Sequence, residues 1–250
     1  MKLLLSALLL LSFSAFSKTI TLNSKNSINF NQAFTPEFVS KKQLDAISLC
    51  YATPNSDIYI VLYTPGGSVS AGQLFFDTLN ALPCNFHTIT IFSASMGYIT
   101  VQSLSKRYIL PSGTLMSHRA SIRGLSGEIG GELDQIYNLL KTNIKQINKT
   151  VAKRVGLTVE KYEDLISDEL WLTGASAVSS KHADELALVK CDESLLGTNT
   201  QRINTFFGAF NVEFSDCPII TAPLGVSGSG DVKQLFDYYQ NIKDHTYMAL

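Results

Sequence analysis

Charge is scarce in this chain. Charged residues make up 16% of it, and 20 Lys and Arg against 21 Asp and Glu leave a net charge of −1. No basic block stands anywhere in the sequence, so nothing in it asks for a nucleic-acid partner. Histidine is sparse as well, four residues in 250, which leaves few candidates for a general base. None of the four cysteines belongs to a Cys-x-x-Cys pair, so a zinc site has little support, and the residues call for no cofactor. Long apolar runs are missing: Leu3–Phe13 is too short for a comfortable membrane-spanning helix. No internal repeat occurs, and the one low-complexity tract is a Gly/Ser joint at Gly225–Gly230.

What is present describes a globular protein with an address. A hydrophobic content of 45% supplies a sizeable core, and 250 residues suffice for one large domain or a domain with an appendage. Met1-Lys2 gives a short basic start to the apolar run. Ala15-Phe16-Ser17 then places small residues at the two positions a signal peptidase reads. The pattern predicts a signal peptide over 1–17, cleavage before Lys18, and export to a periplasm or beyond. An uncleaved anchor is the alternative, and no cysteine follows that would carry a lipid. Cys50, Cys84, Cys191 and Cys217 fit an oxidising compartment as two disulfides, with four buried thiols as the alternative.

Along the chain, Lys18–Phe30 alternates like one or two strands, and Pro36–Cys50 reads as a helix. Asp57–Tyr63 is nearly continuous and apolar, as a strand covered on both faces would be. It runs into Thr64-Pro65-Gly66-Gly67-Ser68, a stiff turn with two glycines that permit close backbone approach. A helix with Ala71, Leu74, Phe75, Leu79 and Leu82 on one face follows, then a strand at Thr88–Phe92. Strand, helix, strand with short joints is a parallel crossover unit. Cys50 and Cys84 each fall near the end of a helix that precedes one of these strands. Parallel neighbours would bring both to the N-terminal edge of the sheet, which predicts a Cys50–Cys84 bridge and leaves Cys191 to Cys217.

Past Thr88–Phe92, Ser95 stands where a strand gives way to a short helix marked by Ile99, Val101 and Leu104. A side chain there projects from the sheet edge, and the first helical amides point unpaired toward the same place. Such geometry suits a serine nucleophile with an oxyanion site, although a buried, hydrogen-bonded turn serine is the commoner outcome. Gly66-Gly67 and Ser95-Met96 both follow strand ends that a parallel sheet places along one edge, where ligands usually bind. Arg107–Leu110 and Thr114–His118 read as short strands around a Pro111-Ser112-Gly113 turn. Of the four histidines, His118 is best placed to serve Ser95, against the default of a satisfied core residue. Ser121–Gly131 is glycine-rich. Leu133–Val155 is a long amphipathic helix stopped by Gly156. Val159–Ile166 and Ala175–Ala187 read as helices, Ala187–Val189 and Phe206–Phe214 as strands, and Val232–Ile242 as a terminal helix.

Thr64-Pro65-Gly66-Gly67-Ser68-Val69, Ser93-Ala94-Ser95-Met96-Gly97, Leu115-Met116-Ser117-His118 and Trp171–Val178 (Trp-Leu-Thr-Gly-Ala-Ser-Ala-Val) together resemble the proteolytic subunit of the Clp protease, over roughly Ile28 to Val189. The resemblance implies a crotonase-like, ClpP-like α/β fold built from repeated β-β-α units, with a parallel sheet and a projecting long helix. It also implies peptide-bond hydrolysis by a Ser-His-acid triad. By position Ser95 matches the nucleophile, His118 the base, and the N–H groups of Gly67 and Met96 the oxyanion hole. The acid position is Glu169, where the family carries aspartate, with the adjacent Asp168 as the alternative acid. Arg119-Ala120 stands where the family usually has Gln-Pro, so the substrate groove is expected to differ.

The expected organisation is therefore a signal peptide, a peptidase domain over 18–190 and an extension over 191–250. The expected partners are a peptide or unfolded protein substrate and further copies of the chain, joined through Leu133–Val155. Export argues against an ATP-driven unfoldase. A non-catalytic, binding or scaffold relative is the alternative. Acyl-CoA chemistry on the same fold is a third reading that export disfavours. The signal peptide peptidase A family shares the fold but uses a serine–lysine dyad, which His118 argues against.

Overall fold

A computed structural model describes residues 18–121, 128, 130–205, 208–228 and 233. The expected signal peptide lies outside these residues, as does the expected terminal helix apart from Lys233.

Strands β1 (Lys18–Leu22) and β2 (Ser27–Phe30) open the chain. Helix α1 (Pro36–Ala52) starts cleanly, because Pro36 presets its first turn and the Thr35 side chain accepts the Phe38 N–H. Strand β3 (Asp57–Thr64) alternates inside the molecule. Ile58, Ile60 and Leu62 pack with Phe30, Phe75 and Tyr98 under the helices, while Tyr59 and Val61 pack with Ile89 and Tyr108 on the opposite face. Helix α2 (Val69–Ala81), with Ser68 accepting from the Ala71 N–H, returns the chain to β4 (Asn85–Ala94). Helix α3 (Met96–Ser103) follows Ser95 directly, and β5 (Arg107–Ser117) completes the central crossover.

Helix α4 (Glu132–Val155) ends at Gly156, whose left-handed φ of 77° lets its N–H reach the carbonyls of Ala152 and Lys153. Helix α5 (Val159–Leu165), β6 (Leu170–Thr173), α6 (Gly174–Ser179) and β7 (Glu185–Cys191) follow. The large sheet runs β1-β7-β5-β4-β3-β2, with every one of these pairs parallel, and β6 joins β5 antiparallel. Beyond it, β8 (Thr198–Thr205), β9 (Gly208–Ser215) and β10 (Gly225–Gly228) form a separate antiparallel sheet. This is an α/β fold on a mostly parallel sheet, with its crossover helices in the expected order.

Three elements differ from the sequence reading. Arg107–Ser117 is one strand rather than two. Its pairing with β4 passes from Thr90–Ile109 to Phe92–Thr114, so the four residues Leu110–Gly113 bulge opposite the single Ile91. The helix expected over Ala175–Ala187 stops at Ser179, because Lys181 turns left-handed (φ 64°) and the chain re-enters the sheet at Glu185. The Gly225–Gly230 joint contains strand β10, recruited by pairing with Phe210–Glu213.

The bridges are Cys50–Cys84 and Cys191–Cys217, with Cα separations of 5.9 and 5.8 Å. The second ties the end of β7 to the segment after β9, where Cys217 and Leu195 cover Tyr59, Val61 and Tyr108 on the sheet face away from the helices. Non-reducing peptide mapping is expected to recover these two linked pairs; a Cys84–Cys191 peptide would contradict the strand order.

Candidate active site

The chain reaches Ser95 through a sharp bend. Its backbone angles, φ 53° and ψ −116°, lie where a non-glycine residue seldom sits, at a cost of about 1–3 kcal/mol that the surrounding structure must sustain. What sustains it is close packing on three sides. The Ser95 N–H donates to the Met116 carbonyl (2.9 Å), which continues the β4–β5 ladder to the turn. A Cβ on Gly66 would come within 2.6 Å of the Ser95 Cβ, so only glycine lets the Pro-Gly-Gly turn touch the bend. A Cβ on Gly97 would meet Thr64 at 2.6 Å, and its absence lets α3 start hard against the end of β3.

Two amides lie in the segments that make this contact. Phe34 forms a short parallel bridge across the turn, donating to the Gly66 carbonyl (2.8 Å) and accepting from Ser68 (2.9 Å). The Gly67 N–H takes no part in this bridge. Met96 opens α3, a position whose N–H has no acceptor within its own helix. Both amides belong to the segments that meet at Ser95, one following β3 and the other following β4.

His118 arrives from the neighbouring strand. β5 ends at Ser117, and the next residue places its Nε2 2.8 Å from the Ser95 Oγ. The pair is partly buried. A hydroxyl within hydrogen-bond reach of an imidazole is the nucleophile–base arrangement.

The acid differs from what the resemblance implied. Among the described residues, neither Glu169 nor Asp168 contacts His118. The Glu169 carboxylate instead accepts from the Trp171 indole N–H (3.1 Å), and Asp168 is exposed. Glu169 stands just before β6 with a left-handed φ of 64°, and its carboxylate is engaged by the indole two residues on. Removing the acid of a working triad costs about 10⁴-fold in kcat. Glu169→Ala should therefore cost less than about tenfold here, and a loss near the triad value would show that its carboxylate reaches His118 during turnover.

A parallel α/β sheet with a strained serine and an imidazole at the C-terminal ends of its strands is the arrangement found among serine hydrolases. The family model "Clp protease" matches residues 13–187. The chain belongs to that family of serine peptidases. It is 32% identical over 142 residues to the ATP-dependent Clp protease proteolytic subunit of Streptococcus suis, covering 53% of this chain and 69% of that one. Against the subunit of Streptococcus pyogenes serotype M5 the identity is 31% over 139 residues, covering 52% and 68%. Against proteolytic subunit 2 of Mycolicibacterium paratuberculosis it is 28% over 138 residues, covering 53% and 67%. The family match stops before Cys191, so the three-stranded sheet and the Cys191–Cys217 bridge lie beyond it.

Proposed function

We propose that this protein is an exported serine endopeptidase that hydrolyses peptide bonds with Ser95 as nucleophile and His118 as general base. The observation that carries this reading is the 2.8 Å approach of His118 Nε2 to Ser95 Oγ at a strained bend. In this mechanism His118 accepts the Ser95 proton as the oxygen attacks the scissile carbonyl. The N–H groups of Gly67 and Met96 stabilise the tetrahedral oxyanion, and His118 then protonates the leaving amine. Water then attacks the acyl-enzyme, its proton passing to His118, which returns it to the Ser95 oxygen as the C–O bond to the acyl group breaks and the acid product leaves. A fluorophosphonate probe should label the purified mature protein and leave Ser95→Ala unlabelled. Equal labelling of the two, or none of either, overturns the assignment.

Export is supported by two disulfides, which reducing cytosol does not favour, and by the N-terminal pattern over 1–17. In that compartment the enzyme works without an ATP-driven unfoldase and takes peptides or flexible chains. Residues 18–190 form the peptidase domain and 191–250 an extension. Self-association through Leu133–Val155 is supported by the uneven burial of α4. Ile147, Val151 and Val155 are buried in the chain's own core, whereas Tyr137 and Leu139 stand 50% and 70% exposed. Sedimentation is expected to give an oligomer at micromolar concentration, and a monomer would remove this part of the reading. The turn of Glu169 toward Trp171 favours a second reading, a binding or scaffold protein that kept the site for its fold; the probe separates the two.

A further inference from the structure

One edge of the large sheet opens into a cleft that the Ser95–His118 pair does not use. Strand β2 is outermost on that side, with β3 as its one neighbour. The Tyr59 N–H donates to the Asn26 carbonyl, so the even-numbered residues of β2 face β3. Asn29, between them, presents its backbone N–H and C=O to the free edge. Edge strands are usually blunted by proline or charge, and Ser27-Ile28-Asn29-Phe30 carries neither. Beside this edge lies a half-open cavity of about 230 Å³.

Two parts of the chain build it. Asn29, Asn31 and Phe38 line one side, from β2 to the start of α1, and Asn199, Gln201 and Phe214 line the other. Asn199 is the ladder partner of Phe214, so these last three share one face of the small sheet. That wall lies beyond the family match, and the Cys191–Cys217 bridge fastens it to the peptidase body. Carboxamides both donate and accept, as a peptide group does, and each wall adds one ring for an apolar side chain. Of the charges there, Lys42 is held by Asp45 and Asp216 by Asn199, while Lys41 stands exposed. The Asn29 Oδ1 is buried with no hydrogen-bond partner among the described residues. A small turn about the soft χ2 of that amide would offer it to a donor in the cavity.

Position ties the cleft to the active site. Strands β2, β3 and β4 are parallel, so the chain leaves β2 at the sheet edge where Ser95 stands. Soon after, Phe34 bridges the turn that holds Gly67. Two strand spacings separate β2 from β4, which puts the cleft roughly 10–20 Å from Ser95, or about three to six extended residues.

We propose that this cleft is a second binding site for the substrate chain, in which an extended polar segment pairs with the free edge of β2 against the small sheet. This rests on the serine peptidase reading. An enzyme working without an unfoldase gains by holding a flexible chain at two points, because the second contact becomes intramolecular once the first is made. The segment's main chain bonds Asn29, and its side chains meet the carboxamides of Asn31, Asn199 and Gln201. A saccharide would suit the carboxamides and rings but not the strand edge.

The test uses the full mature protein carrying Ser95→Ala, so that nothing is cut. The probe is a fluorescein-labelled peptide of about 12 residues, all Ser, Gln, Asn or Gly, long enough to reach from Ser95 into the cleft. Gln201→Trp fills the cavity from an exposed position and is expected to weaken binding about tenfold in fluorescence anisotropy, the loss of one or two hydrogen bonds. Asn31→Trp, from the opposite wall, should do the same. The peptide N-methylated at every residue keeps its side chains but loses its main-chain donors, and should bind at least about tenfold more weakly. In the active enzyme, the long peptide is expected to show a KM about tenfold below that of a tetrapeptide too short to reach the cleft, and Gln201→Trp should bring the two values together. Unchanged binding in both tryptophan variants, equal binding of the N-methylated peptide, or a KM gap that survives Gln201→Trp overturns the proposal. Displacement of the peptide by a soluble glucose or N-acetylglucosamine oligomer would make the cleft a sugar site and overturns it as well. If the wild-type protein proves inert to the fluorophosphonate, serine catalysis falls, and the anisotropy result then decides the cleft separately.

Discussion

Ser95→Ala is expected to lower peptide hydrolysis by about 10³- to 10⁶-fold, and His118→Ala by a similar factor, with fold and assembly retained. The two groups act as one unit: the hydroxyl is a poor nucleophile until its proton has a place to go, and that place is 2.8 Å away. Removing either ends the same step, so the double variant should lie close to each single one rather than at their product. Residual activity above the uncatalysed rate would come from binding and from the Gly67 and Met96 amides, which neither substitution touches. Stability should hardly change in Ser95→Ala, since alanine inherits the same unfavourable φ of 53° and the Gly66 contact meets the Cβ, not the hydroxyl. The measurement is kcat on a fluorogenic peptide beside a thermal melt. Full activity in either single variant removes the dyad.

The site was legible where topology alone determines it. Any parallel crossover puts the ends of successive strands along one edge, so the Pro65-Gly66-Gly67 turn and Ser95 had to meet once β3 and β4 were recognised. The glycines were readable for the same reason, because close approach at Gly66 leaves no room for a Cβ. His118 was legible by elimination among four histidines. The Cys50–Cys84 bridge followed from strand order, since parallel neighbours place the preceding helix ends side by side, and it left Cys191 to Cys217.

What escaped depends on side-chain choices among near neighbours. The direction of the Glu169 carboxylate turns on its own left-handed φ of 64°, which residue spacing does not reveal, and on its bond to the Trp171 indole. The buried Ser117–Tyr162 and Tyr98–His182 hydrogen bonds escaped because their members come from β5, α5, α3 and the turn after α6, each an ordinary polar residue in its own segment. Strand β10 was hidden by composition: Gly225, Ser227 and Gly228 have low strand propensity, and pairing with β9 overrides it.

His182, bonded at Nδ1 to the buried Tyr98 hydroxyl, carries the second large effect, this time on stability. Burial, reinforced by the nearby Arg107 charge, pushes its pKa down from the ordinary 6.5 to about 4. The groups facing it are Tyr98 at Nδ1, Gln102 on its carbonyl, and Arg107, which bonds both Gln102 and Asp184. In the unfolded chain His182 binds a proton below about 6.5, whereas in the folded protein it resists doing so until about 4. Between these values the unfolded state holds more protons, so stability is complete above about 6.5 and declines as pH falls. At about 1.4 kcal/mol per unit the loss is roughly 2–4 kcal/mol, a large part of a typical domain's 5–15 kcal/mol. Carboxylates titrate in the same range. Asp184, which burial alone would raise, is held below its usual value by the Arg107 hydrogen bonds, and it too loses stabilisation as acid is added. The difference between two proteins isolates the histidine. His182→Asn offers an amide oxygen to Tyr98 but cannot take the proton in this range. Although less stable at pH 7, it should lose roughly 2–4 kcal/mol less than wild type between pH 7 and pH 4 in urea titrations. Parallel stability curves would mean that His182 takes its proton at the same pH folded and unfolded, and that burial does not disfavour its charged form.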